Sequence, residues 1–247
     1  MTRRGLALAL LVVGIAVAVP AASDKVTQRL VSADEAPRWR AVGSLRVFGK
    51  RSCTAVLISD VEAITAAHCI VDRATGKRVF PASFILVLGQ RADGFAAVRK
   101  VTAVAFLPGF VSPEPIIDLY GLSTDLALLE LDMPVGADEA TPLVVASWPD
   151  PIGAFVDIIG YERDGPASAT IREGCMAIKT GDGVTVVTCD VITGLSGSPV
   201  LLQQDPADPP QLVASVSSRG QGEAYVVAIA PRLAELRDLI ARQGQGG

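Results

Sequence analysis

Residues 189–202 read CDVITGLSGSPVLL, and how this stretch folds decides how the rest of the chain is read. One apolar run ends near Asp190 and another begins at Pro199, so Gly194 to Pro199 makes a tight turn between two strands. Ser196 lies inside that turn, with glycine at 194 and 197. A hydroxyl nucleophile needs such a place, where its side chain is exposed and backbone N–H groups point at a developing negative charge. Glycine permits both the backbone angles and the close approach. An ordinary Gly/Ser hairpin loop would carry the same letters, so the neighbouring segments must decide between the two.

Immediately upstream, CMAIKTGDGVTVVTC (175–189) reads as two short strands around Gly181-Asp182-Gly183, which sets Cys175 opposite Cys189. CTAVLISDVEAITAAHC (53–69) has the same form, with Ser59 to Glu62 as the turn. Folded about Val61, it sets Cys53 opposite Cys69. Directly opposed residues of an antiparallel pair come near disulfide range, so the expected bridges are Cys53–Cys69 and Cys175–Cys189. Each closes a loop of about fifteen residues, worth about 3 kcal/mol in the chain-entropy view. A zinc site using these cysteines and His68 is the competing reading, but no CxxC or HxxxH spacing supports it, and no metal is expected.

About a dozen short apolar runs, among them AVGSLRVF, FILVLG, VRKVTAVAFL, AFVDIIG and QLVASVSS, are separated by Gly, Pro, Asp and Ser clusters. That pattern describes an all-β barrel or sandwich protein and lacks the alternating helices of an α/β fold. A Pro- and acid-rich stretch over 133–153 is the candidate link between two halves. After Pro231, RLAELRDLIARQ places Leu233, Leu236, Leu239 and Ile240 on one face of a C-terminal helix. At the other end, Arg3 and Arg4 precede an apolar run from Leu6 to Val19 that is short for a membrane span. A signal peptide over 1–21 is expected, with Ala22 and Ser23 as alternative cleavage points. Its removal takes two of the 22 basic residues and none of the 26 acidic ones, so the net charge moves from -4 to -6. An acidic mature chain makes nucleic acid an unsuited partner, and no later segment is apolar for long enough to span a membrane. The expected location is secreted or periplasmic, consistent with paired cysteines.

His68 is the only histidine. Taken together, TAAHC (65–69) and GLSGSP (194–199) resemble the trypsin/chymotrypsin-like serine peptidases, in a bacterial-type form with some likeness to glutamyl endopeptidases. Asp125-Leu126-Ala127-Leu128-Leu129 is similar to that family's aspartate strand, with Asp118 and Asp132 as rival carboxylates. The resemblance implies two packed antiparallel β-barrels with a C-terminal helix: a short propeptide over 22–29, a first barrel over 30–140, and a second barrel plus helix over 141–247. It also implies a serine-type endopeptidase, in which Ser196 attacks a peptide carbonyl, His68 shuttles the proton and Asp125 orients the ring. The N–H groups of Gly194 and Ser196 would form the oxyanion hole. A monomer acting on protein or peptide substrates without a cofactor is the expected form. Its activity should rise as the imidazole loses its proton, near the ordinary value of about 6.5.

Two departures from the family are visible. A cut after Arg29 would expose Leu30, yet the residue before the nucleophile is Leu195, where animal digestive members have the aspartate that receives the new amine. In the primary specificity pocket the resemblance assigns Asp190, Ser217 and Arg219, and Arg219 stands where glycine is usual. A catalytically idle homologue acting as a protein-binding module is therefore the alternative reading.

Overall fold

The computed structural model describes residues 26–72, 75–110, 119–202 and 208–244; the signal-peptide assignment, residues 22–25 of the propeptide assignment and Asp118 lie outside them. The structure is two closed six-stranded antiparallel barrels. The first consists of β2 (Val42–Val47), β3 (Lys50–Leu57), β4 (Glu62–Thr65), β5 (Phe84–Leu88), β6 (Ala97–Phe106) and β7 (Ala127–Leu131), in the order β2-β3-β4-β7-β6-β5. Inward residues such as Val42, Leu45, Ile64, Leu86, Val104 and Leu128 are fully buried and fill it, as the period-two patterning requires.

The second barrel is the ring of β9 (Phe155–Gly160), β10 (Thr170–Gly181), β11 (Val184–Val187), β14 (Ala224–Ala228), β13 (Gln211–Arg219) and β12 (Pro199–Leu202), closed by pairing of β12 with β9 and of β9 with β10. Between the barrels, β8 (Val144–Val145) lies parallel to β13. The connection before it is fixed by the buried Arg99, which donates to the carbonyls of Met133 and Pro134 and pairs with Glu139. The Gly136 N–H and, after it, Arg99 hold the Glu139 carboxyl below the usual range.

Both ends of the described residues cross to the other half. A polar strand, β1 (Thr27–Leu30), pairs antiparallel with residues 170–173 of β10, so Leu30 ends a strand on the second barrel. Its Arg29 is bonded to Glu35 at 2.7 Å and to Glu173 at 2.7 Å, and these carboxylates raise the guanidinium pKa further. Arg29 and the Ser32 hydroxyl together hold the Glu35 carboxyl down at about 2. At the other end, α2 (Ala230–Gly244) buries Leu236 and packs Leu233 and Ile240 against the main core, resting on β6 and β7. A single turn, α1 (Leu119–Ser123), precedes β7.

The two disulfides are Cys53–Cys69 and Cys175–Cys189, with Cα separations of 6.2 and 5.3 Å. The second follows its hairpin: Asp182 and Gly183 both take positive φ, 51° and 81°, as a two-residue turn matching strand twist demands. The first is reached differently from the sequence expectation. Strands β3 and β4 pair Leu57 with Ala63, which centres the hairpin on Asp60 rather than Val61. Cys69 is delivered not by the strand but by a 3-10 turn, Ala67–Cys69, just beyond it.

Candidate active site

His68 sits in that 3-10 turn with its side chain 5% exposed, pinned by the adjacent bridge to β3. Asp125 lies in the bend between α1 and β7, just ahead of the strand on which the sequence placed it, and is completely buried. Three donors converge on its carboxylate. The His68 backbone N–H donates to Oδ1 at 2.8 Å, His68 Nδ1 lies 2.7 Å from Oδ2, and the Ser217 hydroxyl donates to Oδ2 at 2.6 Å. A buried carboxylate needs such partners, and it only accepts, so Nδ1 carries the proton and Nε2 keeps its lone pair. Asp132 is elsewhere: its Oδ1 accepts from the Lys100 N–H in the pairing of β6 with β7.

The Ser196 turn belongs to the second barrel but is stitched to the first. The Thr54 N–H donates to the Ser196 carbonyl at 2.9 Å, the Thr54 hydroxyl donates to the Gly194 carbonyl at 3.0 Å, and the Tyr161 N–H donates to the Thr54 hydroxyl. A side chain at Gly197 would overlap the Thr54 carbonyl and the Thr65 hydroxyl and come within 3.0 Å of the Ala66 N, two residues from His68. Gly197 also has a φ of 80°, so glycine is required there twice over. On the other side, the Gly197 N–H donates to the Val216 carbonyl, next to the Ser217 that bonds Asp125. His68, Asp125 and the Ser196 turn are thereby gathered at one junction between the barrels. The half-buried Ser196 hydroxyl has no hydrogen-bond partner among the described residues, His68 included; such contacts commonly tighten only with substrate in place.

The N–H groups of Leu195, Gly197 and Ser198 are all used, by the carbonyls of Ile192, Val216 and Leu195. Among the described residues no acceptor takes those of Gly194 or Ser196. Two such donors beside a half-buried hydroxyl are the kind of groups that an oxyanion would require.

The residues assigned to the specificity pocket fare unequally. Ser217 is buried with its hydroxyl turned onto Asp125, so it steadies the carboxylate. Asp190 and Arg219 are both exposed, and among the described residues no ion pair joins them. Cys53, His68 and Cys69 cluster closely enough to suggest a metal, but both sulfurs are consumed in the disulfide and cannot ligate as thiolates. Reading the sequence missed Thr54, Tyr161 and the buried Arg172, whose bonds to the Gly194 carbonyl, to Thr54 and to the Asp190 carbonyl join residues that the sequence does not place side by side.

The family model for the trypsin-like peptidase domain matches residues 53–230, most of the chain. The chain belongs to the trypsin-like peptidase family. Its fold is also that of a solved structure of a Glu endopeptidase in complex with MPD, with a TM-score of 0.71 and 17% identity, covering 85% of this chain and 94% of that one. Two curated relatives are clotting factor C of Tachypleus tridentatus and Limulus clotting factor C of Carcinoscorpius rotundicauda, each 27% identical over 138 residues, or 53% of this chain. The match spans only 11% of each of those proteins. At 17% identity the likeness to the solved Glu endopeptidase speaks for the fold alone.

Proposed function

We propose that this protein is a secreted serine endopeptidase that hydrolyses peptide bonds through an acyl-enzyme, with Ser196 as nucleophile, His68 as general base and acid, and Asp125 as the group that orients the imidazole. The observation that carries this reading is the bond from the sole histidine's Nδ1 to the fully buried Asp125, at 2.7 Å, beside a turn whose serine hydroxyl has no bond among the described residues. With Nδ1 protonated by that pairing, Nε2 is the ring atom able to take the hydroxyl proton as the serine attacks the substrate carbonyl. The resulting oxyanion would be received by the N–H groups of Gly194 and Ser196, and the proton on Nε2 then passes to the leaving amine. Water repeats the sequence on the ester to release the acid. Two disulfides and the apolar leader support export. The exposed Asp190 and Arg219 would offer carboxylate and guanidinium groups with which to sort charged substrate side chains.

The test is reaction of the oxidised, mature protein with a fluorophosphonate probe, run beside Ser196→Ala. Labelling of the parent at Ser196 and none of the variant is the expected result. An unlabelled parent that binds polypeptide without cutting it would instead favour the binding-module reading.

A further inference from the structure

Leu195 stands immediately before the nucleophile and is completely buried in the apolar cluster of the second barrel. No carboxylate is there to receive a newly freed N-terminal amine, so something else must hold the loop from Asp190 to Gly194 in its working shape. The buried cation nearest in bonding is Arg172, on β10 and 1% exposed. Its Nε donates to the Asp190 carbonyl at 2.6 Å, one Nη donates to the Thr170 hydroxyl at 3.1 Å, and the other meets Glu162 Oε1 at 3.2 Å. The residue after Glu162 completes the span: the Arg163 N–H donates to the Thr193 carbonyl at 2.8 Å. The backbone of Tyr161 to Arg163 lies so close to Gly194 that any Cβ there would overlap it. One guanidinium thus fixes the near end of the loop directly and its far end through Glu162 and Arg163.

Strand β1 closes over the same place. Gln28 pairs in register with Arg172, and its side-chain amide donates to Glu162 Oε1 at 3.2 Å. A cut after Arg29 would release Thr27 to Arg29, and with them this bond and the Arg29–Glu173 pair.

The geometry points to Arg172 as a positioning residue for the reaction: with Glu162 it sets the wall from Asp190 to Gly194 that frames the oxyanion donors, and the site is complete with strand β1 uncut. This rests on the serine-peptidase reading above. A buried charge whose partner is removed leaves the other uncompensated, so the loop relaxes when either is neutralised. Displacement of oriented groups by about 1 Å costs about 100-fold in rate.

The experiment compares the parent chain with Arg172→Met and Glu162→Gln for fluorophosphonate labelling rate, kcat and KM on a peptide the parent cleaves, and thermal unfolding. It also records the intact mass of the labelled parent. Arg172→Met is expected to unfold cooperatively while losing about 10- to 100-fold in kcat and labelling rate, and the labelled parent should retain residues 27–29. A folded Arg172→Met with parental kcat and only a lowered Tm overturns the proposal. So does a parent that labels only when its chain begins at Leu30. Should Arg172→Met fail to fold, Glu162→Gln decides in the same way, with an expected loss of about 3- to 10-fold. A parent that neither labels nor cleaves overturns the peptidase reading and this inference with it.

Discussion

On the first barrel, the Asp125 carboxylate is sealed from solvent and accepts three hydrogen bonds, and the ring it holds is anchored by a disulfide one residue away. On the second barrel, the Ser196 turn leaves its hydroxyl and two N–H groups without partners among the described residues, and Asp190 at the edge of the loop is exposed. The first arrangement spends its polar groups on one another to fix orientation. The second keeps its donors unspent and relies on backbone bonds to Thr54, Arg163 and Arg172 for shape. A peptidase site needs both kinds of construction, since a base must be oriented before substrate arrives, whereas an oxyanion hole must have capacity left when charge develops.

Removing a reacting group on either side should have the largest effect. Ser196→Ala is expected to reduce peptide hydrolysis by on the order of 10⁴-fold or more, measured as kcat/KM with folding checked by circular dichroism. Asp125→Asn should come close behind, at about 10⁴-fold, because an amide at that position favours the wrong imidazole tautomer. A mild loss there would mean that the buried carboxylate serves packing rather than orientation. The disulfides sharpen the contrast. Replacing either cysteine pair by serine should cost about 3 kcal/mol in urea unfolding, and loss of Cys53–Cys69 should lower kcat the more beyond what unfolding explains, since that bridge carries the histidine turn. Smaller still is Ser217→Ala, which removes one of three donors from Asp125 and should cost about 1 to 2 kcal/mol of transition-state stabilisation, read from kcat/KM.

The smallest effect is a pH dependence of strand β1. Glu35 is held down at about 2 by Arg29 and Ser32, below the ordinary 4.5, so its stabilisation is fully present above 4.5 and disappears as pH falls through about 2. Both side chains of the Arg29–Glu35 pair are more than a third exposed, which limits what it contributes. Amide protection factors at Thr27 to Leu30, taken relative to the intrinsic exchange rate at each pH, should therefore fall modestly across that acid window, while those in β13 stay high. An equal fall in both would mean that the N-terminal strand is integral to the barrel's global stability.

What the sequence disclosed follows the range of the interactions. The Asp182-Gly183 hairpin and its disulfide were legible because turn chemistry is local, and α2 because its apolar residues recur at helical spacing. The register of the β3–β4 hairpin was misjudged by one residue because the loop between Ile58 and Glu62 closes through bonds to the Glu62 carbonyl that no letter announces. Strand β1, TQRL, carries no apolar alternation and exists through its partner about 140 residues away. Arg172 reads as an ordinary charged residue in a strand; its burial depends on Glu162 and the Asp190 carbonyl, which come from the segments after β9 and after β11 and meet it only through the pairing of the second barrel. Ser217 was placed at the site, but its direction was not legible, since the pairing of β13 with β14 is irregular between Val216 and Ser218 and breaks simple alternation.

The crossing of the two chain ends has a consequence for how the molecule could be divided. Because the N-terminal strand lies on the second barrel and the C-terminal helix rests on the first, each terminus acts as a strap around the opposite half. A chain severed within the 133–153 connection would yield two pieces, each bearing the strap that fits the other and each with a bare seam where its own is missing. Such pieces are built to reassociate, and the cut molecule would hold together as a complemented pair.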